Sequence, residues 1–282
     1  MTQDRSYDAL LVDLDGTLLD DQGQIRPRNV DALHALENAG VHVMIATGRS
    51  SVATLPVVTA LDLHTPMLVF NGAGIYCPQE KRLIEERILS NRVMQRAYDH
   101  ALLRGYLVVA QQANAKFALA PRDAAEEQAL GFFHGLETVE FAGLPREYVI
   151  RLIFYSNNFE DSADFRSELT DVLVDPLFLT DFPLNLLVSL RSSPLKVVDV
   201  HPPSRGKAEG LRFLKEVYGV PAERTVAIGD ASNDIQMLQA AGLGVAMQAA
   251  GAATKAQADR IIGDNNTDTI ADLVSELFGV KF

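Results

Sequence analysis

Cysteine is almost missing from this sequence: Cys77 is its one thiol. An internal disulfide is therefore excluded, and a cytoplasmic setting is the simplest expectation. The six histidines, at 34, 42, 64, 100, 134 and 201, are scattered. Without cysteine partners or zinc-type spacing they exclude the usual zinc clusters. Long apolar runs are also lacking, and none approaches the length of a membrane span. The opening residues, "MTQDRSYDALL", have no basic n-region, apolar h-region or small-residue cleavage site, so no signal peptide is expected. Basic residues are in deficit, with 25 Lys and Arg against 37 Asp and Glu and a net charge of -12. That balance argues against broad nucleic-acid or anionic-membrane binding, which needs a basic surface. It leaves room for a small anionic ligand, because a few cations or a metal can reverse the field in one cleft. Internal repeats and low-complexity tracts are absent too; "AAGAATKAQA" is rich in small residues but keeps helical spacing.

Hydrophobic residues make up 48% of the 282 residues, enough for one large core or two smaller ones. Four short apolar runs each end in a polar or glycine-containing segment. They are Ala9 to Val12 before "DLDGT", Val41 to Ala46 before "TGRS", Met67 to Phe70 before "NGAG", and Thr225 to Ile228 before "GDASND". Runs of this kind, without alternation, suit strands buried on both faces of a parallel sheet. Helical stripes lie between them: Val30, Leu33, Leu36 and Ala39 before Gly40; Leu211, Leu214, Val217 and Tyr218 before Gly219; and Ile270, Leu273, Val274 and Leu277. Strand and helix in alternation predict an α/β, doubly wound, mainly parallel sheet. Ligands collect at the carboxyl ends of such strands, and all four polar segments fall there.

The middle of the chain reads differently. Helices are expected over Asn91 to Arg104, Ala124 to Gly135 and Phe159 to Val172. Strands are expected over Tyr106 to Ala110, Lys116 to Ala120, Tyr148 to Tyr155 and Asn185 to Leu190. None of these strands ends in a carboxylate or glycine loop like those above. The expectation is a core of residues 1–85 and 200–282, with an inserted α+β domain over residues 86–199.

The chemistry gathers at the strand ends. Asp13 and Asp15 stand two apart at the end of an apolar run, and "GDASND" adds Asp230 and Asp234, with Asn233 beside the second. Crowded carboxylates repel and resist burial. A divalent cation removes the problem, and hard oxygen ligands suit Mg2+. Carboxylates around such a cation point to phosphoryl chemistry. The transferred group then needs donors around its oxygens. "TGRS" offers the Thr47 hydroxyl and backbone N–H groups, and "SRGK" offers Arg205 and Lys207 just before a helix, where anions are favoured.

"DLDGT", "ATGRS", "SRGKA" and "GDASND", in this order and spacing, resemble the four motifs of the haloacid dehalogenase (HAD) superfamily. "NGAGIY" and "AGLGVAM", with an insertion between the second and third motifs, resemble its Cof-type (subfamily IIB) phosphatases, which carry an α+β cap. The resemblance implies a HAD-like Rossmannoid core and gives each residue a role. Asp13 matches the nucleophile that forms an aspartyl-phosphate, and Asp15 the general acid/base. Asp13, the Asp15 backbone carbonyl and Asp230 match the Mg2+ ligands, with Asp234 supporting them. Thr47 matches the phosphoryl-binding hydroxyl; Gly48, Arg49, Asn71 and Asn233 match substrate-site positions. The third motif usually reads Lys-Gly, and here it reads Arg205-Gly206 with Lys207 following. Arg205 therefore holds the family position for the third-motif cation, and Lys207 is the runner-up. Asp20 and Asp21, in "LLDDQGQI", are expected in an exposed hairpin turn rather than among the ligands.

The implied function is a Mg2+-dependent phosphatase acting on a small phosphorylated metabolite such as a sugar phosphate, with residues of the inserted domain choosing the substrate. A phosphomutase or phosphotransferase would share the aspartyl-phosphate step, and a phospho-ligand-binding protein without turnover is the other alternative. Within the insert, Phe117, Phe132, Phe133, Tyr155 and Phe182 are aromatic candidates for substrate contact. Arg122, Arg146 and Arg151 are candidates for a second anionic group. Oligomeric state is not legible.

Overall fold

Ala9–Val12 carries no polar side chain, and it forms strand β1, buried along its whole length. This is the geometry of a computed structural model that describes residues 6–186 and 190–282. Helix α1 (Pro27–Asn38) follows, with proline in its first turn, where the missing N–H costs nothing. Strand β2 (His42–Ile45) lies parallel to β1, Ala9 facing His42 and Val12 facing Ile45. Helix α2 (Ser51–Leu61) starts at Ser50, whose side chain accepts the Ala53 N–H, as an N-cap should. Strands β3 (Met67–Val69), β4 (Gly74–Cys77) and β5 (Arg82–Glu86) form a separate three-stranded sheet in that order. The third apolar run is therefore no full member of the parallel sheet. It touches the second run through a single parallel bridge, Ala46 to Leu68.

The chain divides into two compact units, one of residues up to Glu85 together with Arg205–Phe282, the other Glu86–Ser204. The second unit begins with helix α3 (Asn91–Arg104), capped by Ser90 and stopped by Gly105 in a left-handed conformation. It continues with β6 (Leu107–Gln111), β7 (Lys116–Ala118), α4 (Ala124–Leu130), β8 (Leu136–Thr138), β9 (Arg151–Ser156), α5 (Ser162–Leu173), β10 (Phe178–Pro183) and β11 (Lys196–His201). These strands make one sheet, ordered β10-β11-β9-β6-β7-β8. Strand β11 pairs with β9 and β10, so the return to the first unit falls after Ser204, later than residue 200. Its apolar run is interrupted by Asp199 and flanked by Lys196 and His201, which hid it from a search for apolar strands. Asn185 to Leu190 was expected as a strand; Leu184–Leu186 is instead a short 3-10 turn, and residues 187–189 lie outside the described residues. The helix expected to run to Gly135 ends at Leu130.

The first unit then resumes with α6 (Glu209–Tyr218), β12 (Thr225–Gly229), α7 (Ile235–Ala240), β13 (Leu243–Met247), α8 (Ala252–Lys255), β14 (Arg260–Ile262) and α9 (Thr269–Phe278). Strands β14-β13-β12-β1-β2 form a five-stranded, all-parallel sheet. One face is covered by α6 and α7, whose Leu211, Leu214, Met237 and Leu238 pack on Leu11, Met44 and Ala227. Val217 is exposed, and Phe213 takes the buried place on α6. Helices α1 and α9 are joined by Asn29, whose side-chain oxygen accepts the Ala271 N–H at 3.0 Å. No helix among the described residues is long and apolar enough to cross a membrane.

The turn after β3 and the turn before α6 meet backbone to backbone. Gly72 has φ +92°, and a Cβ there would lie 2.2 Å from the Gly206 carbonyl oxygen. Gly72→Ala combines a disfavoured φ with that clash. It is expected to cost about 2 kcal/mol or more, read as a lowered thermal unfolding midpoint.

Candidate active site

The parallel ladder places Asp13 just beyond β1, where its N–H donates to the Ile228 carbonyl of β12 at 3.0 Å. Asp230 and Asp234 follow β12 itself. Asp13 is 3% exposed and Asp234 0%. One carboxylate oxygen each of Asp13, Asp230 and Asp234 lie within 4.8 Å of one another. The cluster is wired in place by short contacts. Asp234 Oδ2 accepts the backbone N–H groups of Asp230 at 3.0 Å and Ala231 at 2.9 Å. The Thr17 hydroxyl donates to Asp230 Oδ1 at 3.1 Å. Gly16 (φ +78°) lies so close that a Cβ would sit 2.5 Å from Asp230 Oδ2. The turn in "DLDGT" thus serves the carboxylate across from it.

Lys207 supplies the compensating charge. Its Nζ donates to Asp13 Oδ1 and to Asp234 Oδ1, each at 2.6 Å, and the side chain is 2% exposed. Arg205, favoured by the motif position, is exposed, while its backbone N–H donates to Glu209 Oε1 at 2.9 Å. The structure thus brings Lys207, the runner-up, to the carboxylates and leaves the favoured Arg205 away from them. The turn over Gly206–Ala208 leads into α6 and carries Lys207 inward. A lysine stem reaches the carboxylates from there, and it leaves Arg205 at the surface. Glu209, buried and bonded to both the Arg205 N–H and Arg212 Nε, braces this turn. Sequence reasoning missed it, since a lone glutamate in a first helical turn reads as surface.

Burial raises the Asp13 carboxyl well above its ordinary range; Lys207 opposes the shift, and Asp234 and Asp230 add to it. Burial likewise pushes Asp230 up to about 6, helped by Asp234. Burial pulls the Lys207 ammonium down, but Asp13 and Asp234 more than offset it, and the net shift is upward. One ammonium thus faces three acids, and the site holds excess negative charge that a divalent cation fits. Hard oxygen donors at this spacing are the ligand type for such an ion.

Asp15 stands apart from this cluster. Its carboxylate is exposed and is gripped by both arms of Arg49, Nε at 2.9 Å and Nη2 more closely. Thr47 is fully buried and its hydroxyl accepts the Arg49 N–H at 3.1 Å. The Asn71 N–H donates to the Thr47 carbonyl, and its side-chain oxygen accepts from Asn233 Nδ2 at 2.9 Å. Asn71 also lies against Gly48, where a Cβ would come within 3.0 Å of it. Phe70 and Asn71 have φ of 52° and 50°, a left-handed pair that side chains disfavour. Thr47, Gly48, Arg49, Asn71 and Asn233 are therefore neighbours along one rim of the first unit. Leu19 bridges Ile25, and Asp20 Oδ1 accepts the N–H groups of Gln22 and Gln24. The hairpin after Asp15 thus forms, with Asp21 exposed and neither Asp20 nor Asp21 in the acidic cluster.

A chain-length comparison agrees with this architecture. The family of haloacid dehalogenase-like hydrolases matches residues 10–274. The pyridoxal phosphate phosphatase YbhA of Escherichia coli is 31% identical over 94% of this chain and 97% of its own. The 5-amino-6-(5-phospho-D-ribitylamino)uracil phosphatase YitU of Bacillus subtilis is 28% identical over 96% and 97%. Among solved structures, a haloacid dehalogenase-like hydrolase from Bacteroides thetaiotaomicron superposes with a TM-score of 0.78 at 25% identity, covering 96% of this chain and 100% of that one. A HAD subclass IIB sugar phosphatase has the same fold, with a TM-score of 0.79 at 22% identity over 97% and 100%. With its acidic motifs at the ends of β1 and β12 and the family match running from the first strand into the last helix, this chain belongs to the haloacid dehalogenase-like hydrolases.

Proposed function

We propose that the protein is a Mg2+-dependent phosphatase that hydrolyses small phosphate monoesters through an aspartyl-phosphate on Asp13. The observation that carries this reading is the buried group of Asp13, Asp230, Asp234 and Lys207 at the strand ends. The named activities of the relatives, a pyridoxal phosphate phosphatase and a ribitylaminouracil phosphate phosphatase, support the same reaction class.

Asp13, Asp230 and Asp234 would hold Mg2+, with the Asp15 backbone carbonyl as the further ligand the family resemblance implies. The ion neutralises the carboxylates and the phosphoryl oxygens when bound. The chain's own residues then do the rest. An Asp13 oxygen attacks phosphorus while the ester oxygen leaves. Asp15, in its protonated form, gives its proton to that leaving oxygen. The Asp15 carboxylate next takes a proton from water, whose oxygen attacks the phosphorus of the acyl phosphate. Inorganic phosphate departs and the Asp13 carboxylate is restored. Lys207 and the Thr47 hydroxyl are donors for the phosphoryl oxygens, where negative charge builds up. Arg49 now pairs with Asp15; an arriving phosphate competes for its guanidinium and frees Asp15 for proton transfer.

Asp13→Asn keeps the side-chain shape and removes the attacking oxygen. Turnover of p-nitrophenyl phosphate with Mg2+ is expected to fall to background, with an unchanged circular dichroism spectrum. Acid quenching with a radiolabelled ester should capture protein-bound phosphate in the parent and none in the variant. Activity retained by Asp13→Asn would remove the proposed nucleophile.

Lys207 and Arg205 are separated by substitution. Lys207→Met should lower kcat by about 100-fold or more, the scale of losing one donor to the reacting group. Arg205→Met, altering an exposed side chain, should leave kcat within about threefold. A loss in Arg205→Met that Lys207→Met does not share would return the role to Arg205.

The metal reading predicts a pH dependence. Asp230 is pushed up to about 6, above its value in the unfolded chain. Its contribution to metal-free stability is thus fully present below the unfolded value and is lost as pH rises through about 6. Mg2+ competes with protons for the same oxygens. The rise in melting temperature on adding Mg2+ should be larger at about pH 7.5 than at about pH 5. An equal rise at both values would contradict Asp230 as a ligand.

A further inference from the structure

Lys207 sits in the middle of the turn from Arg205 to Glu209, and a side chain closes that turn. Glu209 folds back across it, and its Oε1 accepts the Arg205 N–H at 2.9 Å. Glu209 is 4% exposed, and its Cγ packs against Gly72, where an added Cβ would lie 3.3 Å from it. A carboxylate so enclosed is costly unless a cation meets it. Arg212, three residues on in α6, is that cation, with Nε 2.8 Å from Glu209 Oε2.

Arg212 reaches further than this one partner. Its Nη2 lies 2.5 Å from Glu85 Oε2, and its Nη1 pairs with Glu216 on the next helical turn. Glu85 and Arg205 are the residues at which the chain leaves the first unit and returns to it. One guanidinium thus joins both crossing points, Glu85 directly and Arg205 through Glu209. The planar fork suits such a span, since its N–H groups can serve different carboxylates at once. Exposed ion pairs contribute little, and the side chains of Glu85 and Glu216 are 42% and 57% exposed. The pair with buried Glu209 differs in kind. Without Arg212 that carboxylate is buried unpaired, and turning outward to water relieves it. Turning outward releases the Arg205 N–H, and the turn that aims Lys207 at Asp13 and Asp234 loosens.

We propose that Arg212 is a positioning residue for Lys207. It acts through Glu209, which closes the turn, and it is anchored by Glu85 at the crossing point. The consequence for rate rests on the phosphatase reading above; the placement of the ammonium does not.

Arg212→Met tests this in the full-length chain, with two readouts taken below the unfolding temperature. The first is turnover of p-nitrophenyl phosphate with Mg2+. There kcat should fall about tenfold or more, the scale of a small misplacement at the reacting centre, with KM within about threefold. The second is the Lys207 ammonium signal in 15N NMR, identified by its loss in Lys207→Met. It should shift or broaden in Arg212→Met. Adding Glu209→Gln to Arg212→Met restores an acceptor for the Arg205 N–H with no charge to bury. That double variant should recover the signal and bring kcat to within about threefold of the parent. A role in stability alone would lower the melting temperature and leave kcat and the signal of the folded protein where they were. Glu216→Gln removes the partner on the next helical turn and should change neither readout. An unchanged signal in Arg212→Met, or an unchanged kcat in an active parent, would overturn the proposal. So would a loss in Glu216→Gln equal to that in Arg212→Met, or a double variant no better than Arg212→Met. If the parent hydrolyses no ester, the phosphatase reading fails and the ammonium signal alone decides. If Arg212→Met does not fold, Arg212→Lys is judged by the same outcomes, since a point charge cannot span Glu85 and Glu209 as the fork does.

Discussion

The site stands or falls on a charge imbalance held inside protein. Asp13, Asp230 and Asp234 bring their oxygens together at the carboxyl ends of β1 and β12, and Lys207 is, among the described residues, the ammonium that reaches them. Burying one carboxylate without a partner is expensive, and burying three around one cation leaves the group short of positive charge. The fold answers with fixed dipoles: the Asp230 and Ala231 N–H groups on Asp234, and the Thr17 hydroxyl on Asp230. What remains uncompensated is negative charge of the kind that a divalent cation would fit.

The architecture around that imbalance was largely legible. Uniformly apolar runs such as Ala9 to Val12 have few options besides a doubly buried strand, and their polar endings mark where the chain can carry chemistry. Helix α3 was readable to its ends because a serine cap and a glycine stop bracket its stripe. Strands that carry polar residues inward were not. Lys196–His201 holds Asp199 and His201 at buried positions, and a search for apolar periodicity passes over such a strand. The third apolar run was misread in another way. Its composition fits a parallel strand, but pairing partners are set by tertiary context, and it pairs antiparallel with β4 instead.

Within the site, spacing identified the acids but could not choose between two neighbouring cations. Arg205 and Lys207 are separated by one glycine, and both precede the same helix. The choice depends on which way the Gly206–Ala208 turn points each stem, and that is set by Glu209 and by the backbone contact of Gly72 with Gly206. Arg49 was readable as a member of the site, but its grip on Asp15 was not, because side-chain pairing across 34 residues leaves no local signature.

The two units differ in how they use the chain. Glu86–Ser204 is one continuous stretch, and every strand of its sheet lies inside it. The parallel sheet is assembled from both ends, with β1 between β2 and β12 and more than 200 residues separating Val12 from Ile228. As the polypeptide leaves the ribosome, the insert is complete before β12 exists. Strand β1 must wait, with one side unpaired, until β12 has been made beyond the insert. A protein built this way has a slow closure written into its chain order: the strand that carries Asp13 at its end precedes the insert and is paired on both sides only after it.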